Sequence, residues 1–288
     1  MTVFPHKPTG VPVQVRSGLM ERIVRNMTIG LSRLVKTPHR EAAYWGLGRP
    51  GRGVILWATG ALILCVAMMY IIDADSIVWA RTLPAWFRRA SSVVTDLGLS
   101  GWFLYPLGLA LVVIAFIDTN RLPLRARATV ATMSVRLGFL FIAIGLPGIF
   151  VTILKHIIGR ARPFVPGHAD PFAYSPFNWS AAYASMPSGH ATTVFAVAVA
   201  FGAAFPKLRL PLFAYAVIIG VSRVIVTAHH PSDVVAGALL GMGTALLVRR
   251  WFAIRRLGFA AGPDGRIRPY AGPSLQRIKA VAADMFAK

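Results

Sequence analysis

Apolar positions in this chain fall in long blocks rather than in alternation. Leu, Ile, Val, Ala, Phe and Gly dominate six stretches, roughly Val54–Ile72, Gly101–Ile117, Leu137–Leu154, His190–Phe205, Leu210–Thr227 and Asp233–Val248. A helix rises about 1.5 Å per residue, so about 20 residues cross an apolar layer about 30 Å thick. The blocks predict six transmembrane helices, several of them short enough that their polar ends lie at the interface or line a protein cavity. Ahead of them, Leu19, Ile23, Met27, Leu31 and Leu34 recur at helical spacing among Arg16, Arg22, Arg25 and Arg33. This predicts an N-terminal amphipathic interfacial helix on the inner leaflet, with packing against the bundle as the other arrangement. Pro38 and the Gly/Pro-rich stretch Gly46–Gly53 separate that helix from the first span. The first apolar run starts too late for a cleavable leader, so the first span is expected to stay as an anchor.

The expected fold class is all-α: a polytopic membrane helical bundle. Residues 1–53 form a basic cytoplasmic tail, 54–248 the six-span domain, and 249–288 a basic, partly helical cytoplasmic tail. Composition agrees. Of 288 residues 56% are hydrophobic and 14% charged, against about 25% charged in soluble domains.

The net charge of +21 would suit a nucleic-acid partner if it formed one basic face on a soluble module. Its distribution is different. Basic residues gather before Val54, between spans two and three (Arg121, Arg125, Arg127, Arg136), between spans four and five (Lys207, Arg209) and after Val248 (Arg249, Arg250, Arg255, Arg256). Alternate loops share the excess, which places them and both termini in the cytoplasm of an inner (plasma) membrane. Anionic lipid headgroups are the expected partners of the basic tails, and nucleic acid is not expected. The pattern carries no signal for an oligomeric state. The single cysteine, Cys65, lies in an apolar run and reads as a small buried hydrophobe.

The opposite, periplasmic or exterior, face then receives the link around Asp73, Asp75, Arg81 and Asp96, the loop 155–189 and the turn 229–232. The last two hold most of the unusual polar residues, and ionisable groups at a membrane are functional candidates by default. Lys155 and Arg162 are seven apart, two helical turns, so one face presents two cations suited to a phosphate. Met186-Pro187-Ser188-Gly189-His190 runs straight into an apolar helix, whose N-terminus offers free N–H groups to an anion. Gly189 lets backbone approach a ligand, and His190 sits in the first turn.

Arg223 lies inside an otherwise apolar span and needs an anion or a watered cavity. His229 precedes Asp233 by four residues, close enough for a carboxylate to fix the ring tautomer and free the other nitrogen as nucleophile or base. No second carboxylate stands nearby, so no metal and no cofactor are expected. Among the remaining groups, His156 points off the Lys155/Arg162 face, and His230 reads as a supporting or solvated residue. Arg160 reads as a headgroup contact or a solvated charge. The aromatic loop (Phe164, Phe172, Tyr174, Phe177, Trp179, Tyr183) reads as a flap over an amphiphile or as an interfacial anchor, and Asn178-Trp179-Ser180 fits a glycosylation acceptor.

In order, the three stretches read K-x6-RP, PSGH and SR-x5-H-x3-D. In this the chain resembles the type 2 phosphatidic acid phosphatase family, which shares its site with vanadium haloperoxidases. Every fixed position is matched between Lys155 and Asp233. The resemblance implies that His229 attacks phosphorus, that Asp233 orients it, and that His190 protonates the leaving alcohol and then activates water. It implies that Lys155, Arg162 and Arg223 hold the phosphate oxygens, with Ser188 and the Gly189 N–H.

The implied activity is metal-independent removal of phosphate from a lipid phosphate or pyrophosphate through a phosphohistidine. Phosphatidic acid, phosphatidylglycerophosphate, undecaprenyl pyrophosphate and lipid A phosphate are the candidate substrates. Transfer between lipids would use the same intermediate. A soluble vanadate haloperoxidase fits six spans poorly, and a phosphate-binding transporter or scaffold would not need both histidines and the aspartate.

Overall fold

The computed structural model describes residues 18–38, 52–262 and 264–286. Most of the stretch Gly46–Gly53, and with it Lys7, Arg16, Arg40 and Arg49 of the tail, lies outside the described residues. The chain is mainly helical. We number its helices α1 (Leu19–Leu34), α2 (Arg52–Ile71), α3 (Asp73–Thr82), α4 (Ala85–Asp96), α5 (Gly101–Phe116), α6 (Leu124–Ile158), α7 (Gly189–Ala204), α8 (Arg209–Ile225), α9 (Pro231–Ile254) and α10 (Leu275–Phe286).

All six predicted spans are helical. Among the described residues, five helical segments are long and apolar enough to cross a membrane: α2, the stretch Ala85–Phe116, α6, Pro206–Ile225 and α9. The remaining block, α7, has 16 residues, about 24 Å of helix. It compensates by position. Its Ala191, Val194, Ala196, Val197, Ala198 and Ala200 are all buried, so α7 is the axis of the bundle and meets little lipid.

Two boundaries differ from the expected ones for one physical reason. α6 is 35 residues long and carries Arg125, Arg127 and Arg136, expected in a link, as its first turns. α9 runs on through Arg249 and Arg250 to Ile254. Charges interrupt an apolar pattern but do not end a helix, which stops only where its backbone finds another partner. The link expected around Asp73–Asp96 is itself two helices, α3 and α4, parted at Pro84. The C-terminal tail adds to α10 an antiparallel pair, β1 (Phe259–Ala261) and β2 (Ile267–Pro269).

α1 packs against the bundle, one of the two arrangements read from its sequence. The Asn26 amide donates to the Ala115 and Ile117 carbonyls at the end of α5, each at 2.9 Å. Arg22 and Arg25 pair with Asp118. Leu19, Met20, Val24, Met27 and Leu31 are exposed. Its polar side grips the bundle and its apolar side faces outward.

Small residues set the spacing that matters for the site. α7 and α9 share the widest contact, and Gly237 and Gly241 of α9 face the Ser188 and Thr192 carbonyls so closely that a Cβ at either would collide with backbone. Leu107, Phe139, Leu140, Ala143, Ile144, Phe252 and Phe259 fill the core on the far side of α7.

A candidate phosphate site at one end of the bundle

Lys155 stands in the last turn of α6, Ser188 caps α7, Arg223 lies in the last turn of α8 and Asp233 in the first turn of α9. Successive antiparallel helices bring these four ends to one side. The basic turns of Arg125, Arg209 and Arg250 belong to the opposite ends.

Local chain chemistry fixes each group. α6 ends at Gly159, in the left-handed region at φ 62°, where a side chain would strike the Ser175 carbonyl; glycine is required there. The chain then crosses the mouth. Ser185 N–H donates to the Arg160 carbonyl at 3.1 Å, and Ser188 N–H donates to the Asp233 carbonyl at 2.9 Å. Backbone bonds thus stitch the first motif to the second and the second to the third. α8 unwinds at Thr227, which takes φ 53°, unusual for a β-branched residue. The His229 N–H folds back on the Arg223 carbonyl at 3.3 Å, so the cation and the imidazole are held by one turn.

The predicted site residues converge. His229 (2% exposed), Ser188, Arg223 and Asp233 are buried, while Lys155, Arg162, Gly189 and His190 are half-buried. His190 lies within Coulombic reach of Arg223, His229, Lys155 and Arg162. A Cβ on Gly189 would come within 3.7 Å of Lys155 Nζ. Arg223 Nη1 donates to Thr95 Oγ1 at 3.0 Å, and Arg162 Nε donates to the Ala181 carbonyl at 2.9 Å. Among the described residues none of Lys155, Arg162 and Arg223 makes an ion pair with a carboxylate. Three cations without an ion pair beside a helix N-terminus are suited to receive an anion.

His229 Nδ1 faces Asp233 Oδ2 at 3.7 Å. Burial is the main influence on this imidazole and pushes its pKa down to about 4; Asp233 opposes the shift, and Arg223 and Arg162 reinforce it. His229 is therefore neutral at physiological pH. With Nδ1 toward the carboxylate, its Nε2 lone pair is the free one.

Several residues read from sequence as peripheral are central. Arg160, expected at a headgroup or in solvent, is 0% exposed and pairs with Asp73 at 2.7 Å and Asp233 at 2.5 Å. Burial alone would lower the pKa of its guanidinium, but Asp233 and Asp73 outweigh burial and raise it. His230 takes the supporting alternative and not the solvated one: it is wholly buried, its Nδ1 at 3.5 Å from Asp233 Oδ2. Ser185 donates to the same oxygen at 2.6 Å. The available signal was stoichiometric: the chain has 10 acidic residues against 31 basic ones, so an Asp at a span end is a ready partner for a cation. His156 does point away from the site. It stacks on Trp179 with ring centroids 4.6 Å apart and anchors the aromatic loop, as Arg81 does over Phe164 at 3.2 Å.

A membrane helical bundle whose one end gathers unpaired cations, a helix N-terminus and two imidazoles belongs to the class of integral membrane proteins built to handle phosphate. Comparison with known proteins narrows the class. A sequence model described as the PAP2 superfamily matches residues 136–257. A lipid A 1-phosphatase of Rhizobium johnstonii is 34% identical over 204 residues, covering 69% of this chain and 81% of that protein. A lipid A 1-phosphatase of Rhizobium etli is 34% identical over 196 residues, covering 66% and 82%. Among solved structures, the transmembrane PAP2 type phosphatidylglycerolphosphate phosphatase from Bacillus subtilis aligns with a TM-score of 0.45 and 20% identity, over 68% of this chain and 93% of that one. The chain belongs to the type 2 phosphatidic acid phosphatase family, and it is a membrane lipid phosphatase.

Proposed function

We propose that this chain removes phosphate from a lipid phosphate at the non-cytoplasmic membrane face, without a metal, through a phosphohistidine on His229, and that lipid A phosphate is its substrate. The observation that carries the reading is the meeting of three unpaired cations with His190 and His229 at one end of the bundle. The two relatives named as lipid A 1-phosphatases support the choice of lipid. The basic turns at the far ends of the helices support the orientation.

Phosphoryl transfer asks for positioning and for stabilising charge on the equatorial oxygens. Lys155, Arg162, Arg223 and the N–H groups opening α7 supply both. His229 Nε2 gives its lone pair to phosphorus as the bond from phosphorus to the lipid oxygen breaks. His190 gives a proton to that oxygen, and the lipid alcohol leaves. Asp233 holds the Nδ1–H of the phosphorylated imidazole. Water then attacks phosphorus, His190 takes its proton, and the P–N bond breaks with its electrons returning to Nε2.

The test is phosphate release by purified protein from lipid A, phosphatidic acid, phosphatidylglycerophosphate and undecaprenyl pyrophosphate in mixed micelles, with the His229→Ala variant as blank. Lipid A should be hydrolysed fastest. A different lipid hydrolysed far faster would reassign the substrate, and equal rates in the blank would end the histidine assignment.

A further inference from the structure

The mechanism above leaves a fully buried cation and a fully buried carboxylate without a task. Arg160 spends its whole guanidinium fork inside the protein. Nη1 donates to Asp233 Oδ1 at 2.5 Å and to Ser232 Oγ at 2.7 Å, Nη2 to Asp73 Oδ2 at 2.7 Å, and Nε to the Pro171 carbonyl at 3.0 Å. Asp73 closes the ring. Its Oδ1 accepts the Ser232 N–H at 2.9 Å and its Oδ2 the Ser232 hydroxyl at 2.5 Å. Both side chains are 0% exposed.

We propose that Asp73 and Arg160 are positioning residues for the phosphoryl-transfer step: Arg160 turns Asp233 toward His229, and Asp73 balances Arg160 so that Asp233 keeps its pull on the imidazole.

The geometry separates the two oxygens of Asp233. Oδ1 is taken by Arg160, and Oδ2 faces His229 Nδ1 while accepting the Ser185 hydroxyl and the His230 N–H. A carboxylate bound on both oxygens cannot rotate away. The charges matter as much as the aim. Asp73, Arg160 and Asp233 together carry one net negative charge, which faces His229. With Asp73 neutral, Arg160 would cancel Asp233, and the imidazolium-like charge that develops during attack would lose its counterpart. A scaffold role alone would not need Asp73 to be ionised, because an amide could still accept the Ser232 N–H on its oxygen and donate its NH2 to the Ser232 hydroxyl. Nor is a buried pair by itself a source of stability.

The inference rests on His229 as nucleophile and Asp233 as its partner. Its test uses the purified full-length protein with lipid A and phosphatidic acid, each labelled in the phosphate, in single turnovers that follow label on His229. Asp73→Asn keeps shape and removes charge. Arg160→Lys keeps charge and removes the fork that spans both carboxylates. Each should slow phosphorylation of His229 by about tenfold to a hundredfold and leave KM within about twofold, the pattern of an interaction felt only in the transition state.

In Asp73→Asn the acid limb of the rate should move to lower pH, because an uncompensated cation then acts on His229. Its other charged neighbours, Arg223, Arg162 and His190, are unaltered. Loosened packing would instead move the limb up toward the ordinary imidazole value of about 6.5. Wild-type rates in folded Asp73→Asn, or a limb that rises, would overturn the proposal. If Asp73→Asn does not fold, Arg160→Lys carries the test. If neither folds, the pair is a scaffold and the proposal is wrong. Failure to find phosphohistidine in the wild type would remove the proposed mechanism itself, and the pair's role with it.

Discussion

Asp233 Oδ2 lies 3.7 Å from His229 Nδ1, while the Ser185 hydroxyl and the His230 N–H reach the same oxygen at 2.6 and 2.9 Å. The carboxylate is thus aimed by its other partners before the imidazole touches it, and contacts of this length close as charge develops on the ring. Asp233→Asn keeps the size and loses the negative charge. It should lower kcat by about a hundredfold to ten-thousandfold, the range for removing the carboxylate behind a working histidine. KM should move much less. Steady-state kinetics on lipid A micelles measures both, and a kcat within about threefold of wild type would remove Asp233 from the mechanism.

The neutral state of His229 has a consequence in acid. Its pKa of about 4 in the folded protein lies below the ordinary value of about 6.5. Between those values the unfolded chain binds more protons than the folded one, so this residue's contribution to stability rises with pH across that window and is reduced below it. In the folded protein the His229 imidazole stays free of its proton down to about pH 4. Carbethoxylation of His229, followed by peptide mass spectrometry, should keep a constant pH-corrected rate from pH 8 to about 5. A midpoint near 6.5 would show an ordinary, solvated imidazole.

The unpaired cations predict where binding energy is spent. Arg223→Gln leaves a donor for Thr95 but removes the charge. It should lower kcat/KM by about a hundredfold to a thousandfold, as removal of one preorganised donor does. Lys155→Met should act in the same direction. With the phosphate neutralised by these groups, as proposed, a chelator should change the wild-type rate by less than about twofold. A chelator-sensitive rate, restored by one divalent ion, would contradict this division of labour.

Spacing between α7 and α9 offers a test away from the chemistry. Gly241 faces the Thr192 carbonyl with no room for a Cβ. Gly241→Ala should cost about 1–3 kcal/mol through overpacking, read as a lower thermal midpoint in detergent. Gly138, where nothing lies within 4 Å of a Cβ, should accept alanine with no loss. Equal midpoints for the two variants would mean that the helices part freely.

The site was legible in the sequence where its groups are close along the chain. Lys155 and Arg162, Ser188 and His190, and His229 and Asp233 each lie within one or two helical turns. Nearness along the chain therefore put each pair together, and alternation of spans put the pairs on one side; the shared helix face expected for Lys155 and Arg162 does not form, because α6 ends at Ile158 and Arg162 reaches the site from the loop beyond Gly159. Arg160 and Asp73 were not legible because 87 residues separate them, and an Arg between two other cations in a loop gives no local sign of burial. Thr95 is in the same position: it lies 128 residues from Arg223. The spans were readable from apolar length. The first turns of α6 and the last two turns of α9 were not, since their arginines resemble loop composition while their backbone continues the helix. α3 and α4 escaped because two short helices parted by Pro84 give no apolar block of spanning length.

The proposed chemistry requires a covalent bond between His229 and phosphorus. Purified protein mixed with lipid A labelled in its phosphate, quenched in alkali within one turnover and digested for mass spectrometry, tests it directly. Phosphate should appear on the peptide bearing His229, be lost on longer incubation and be absent from His229→Ala. Label on no histidine in a protein that still releases phosphate would contradict it.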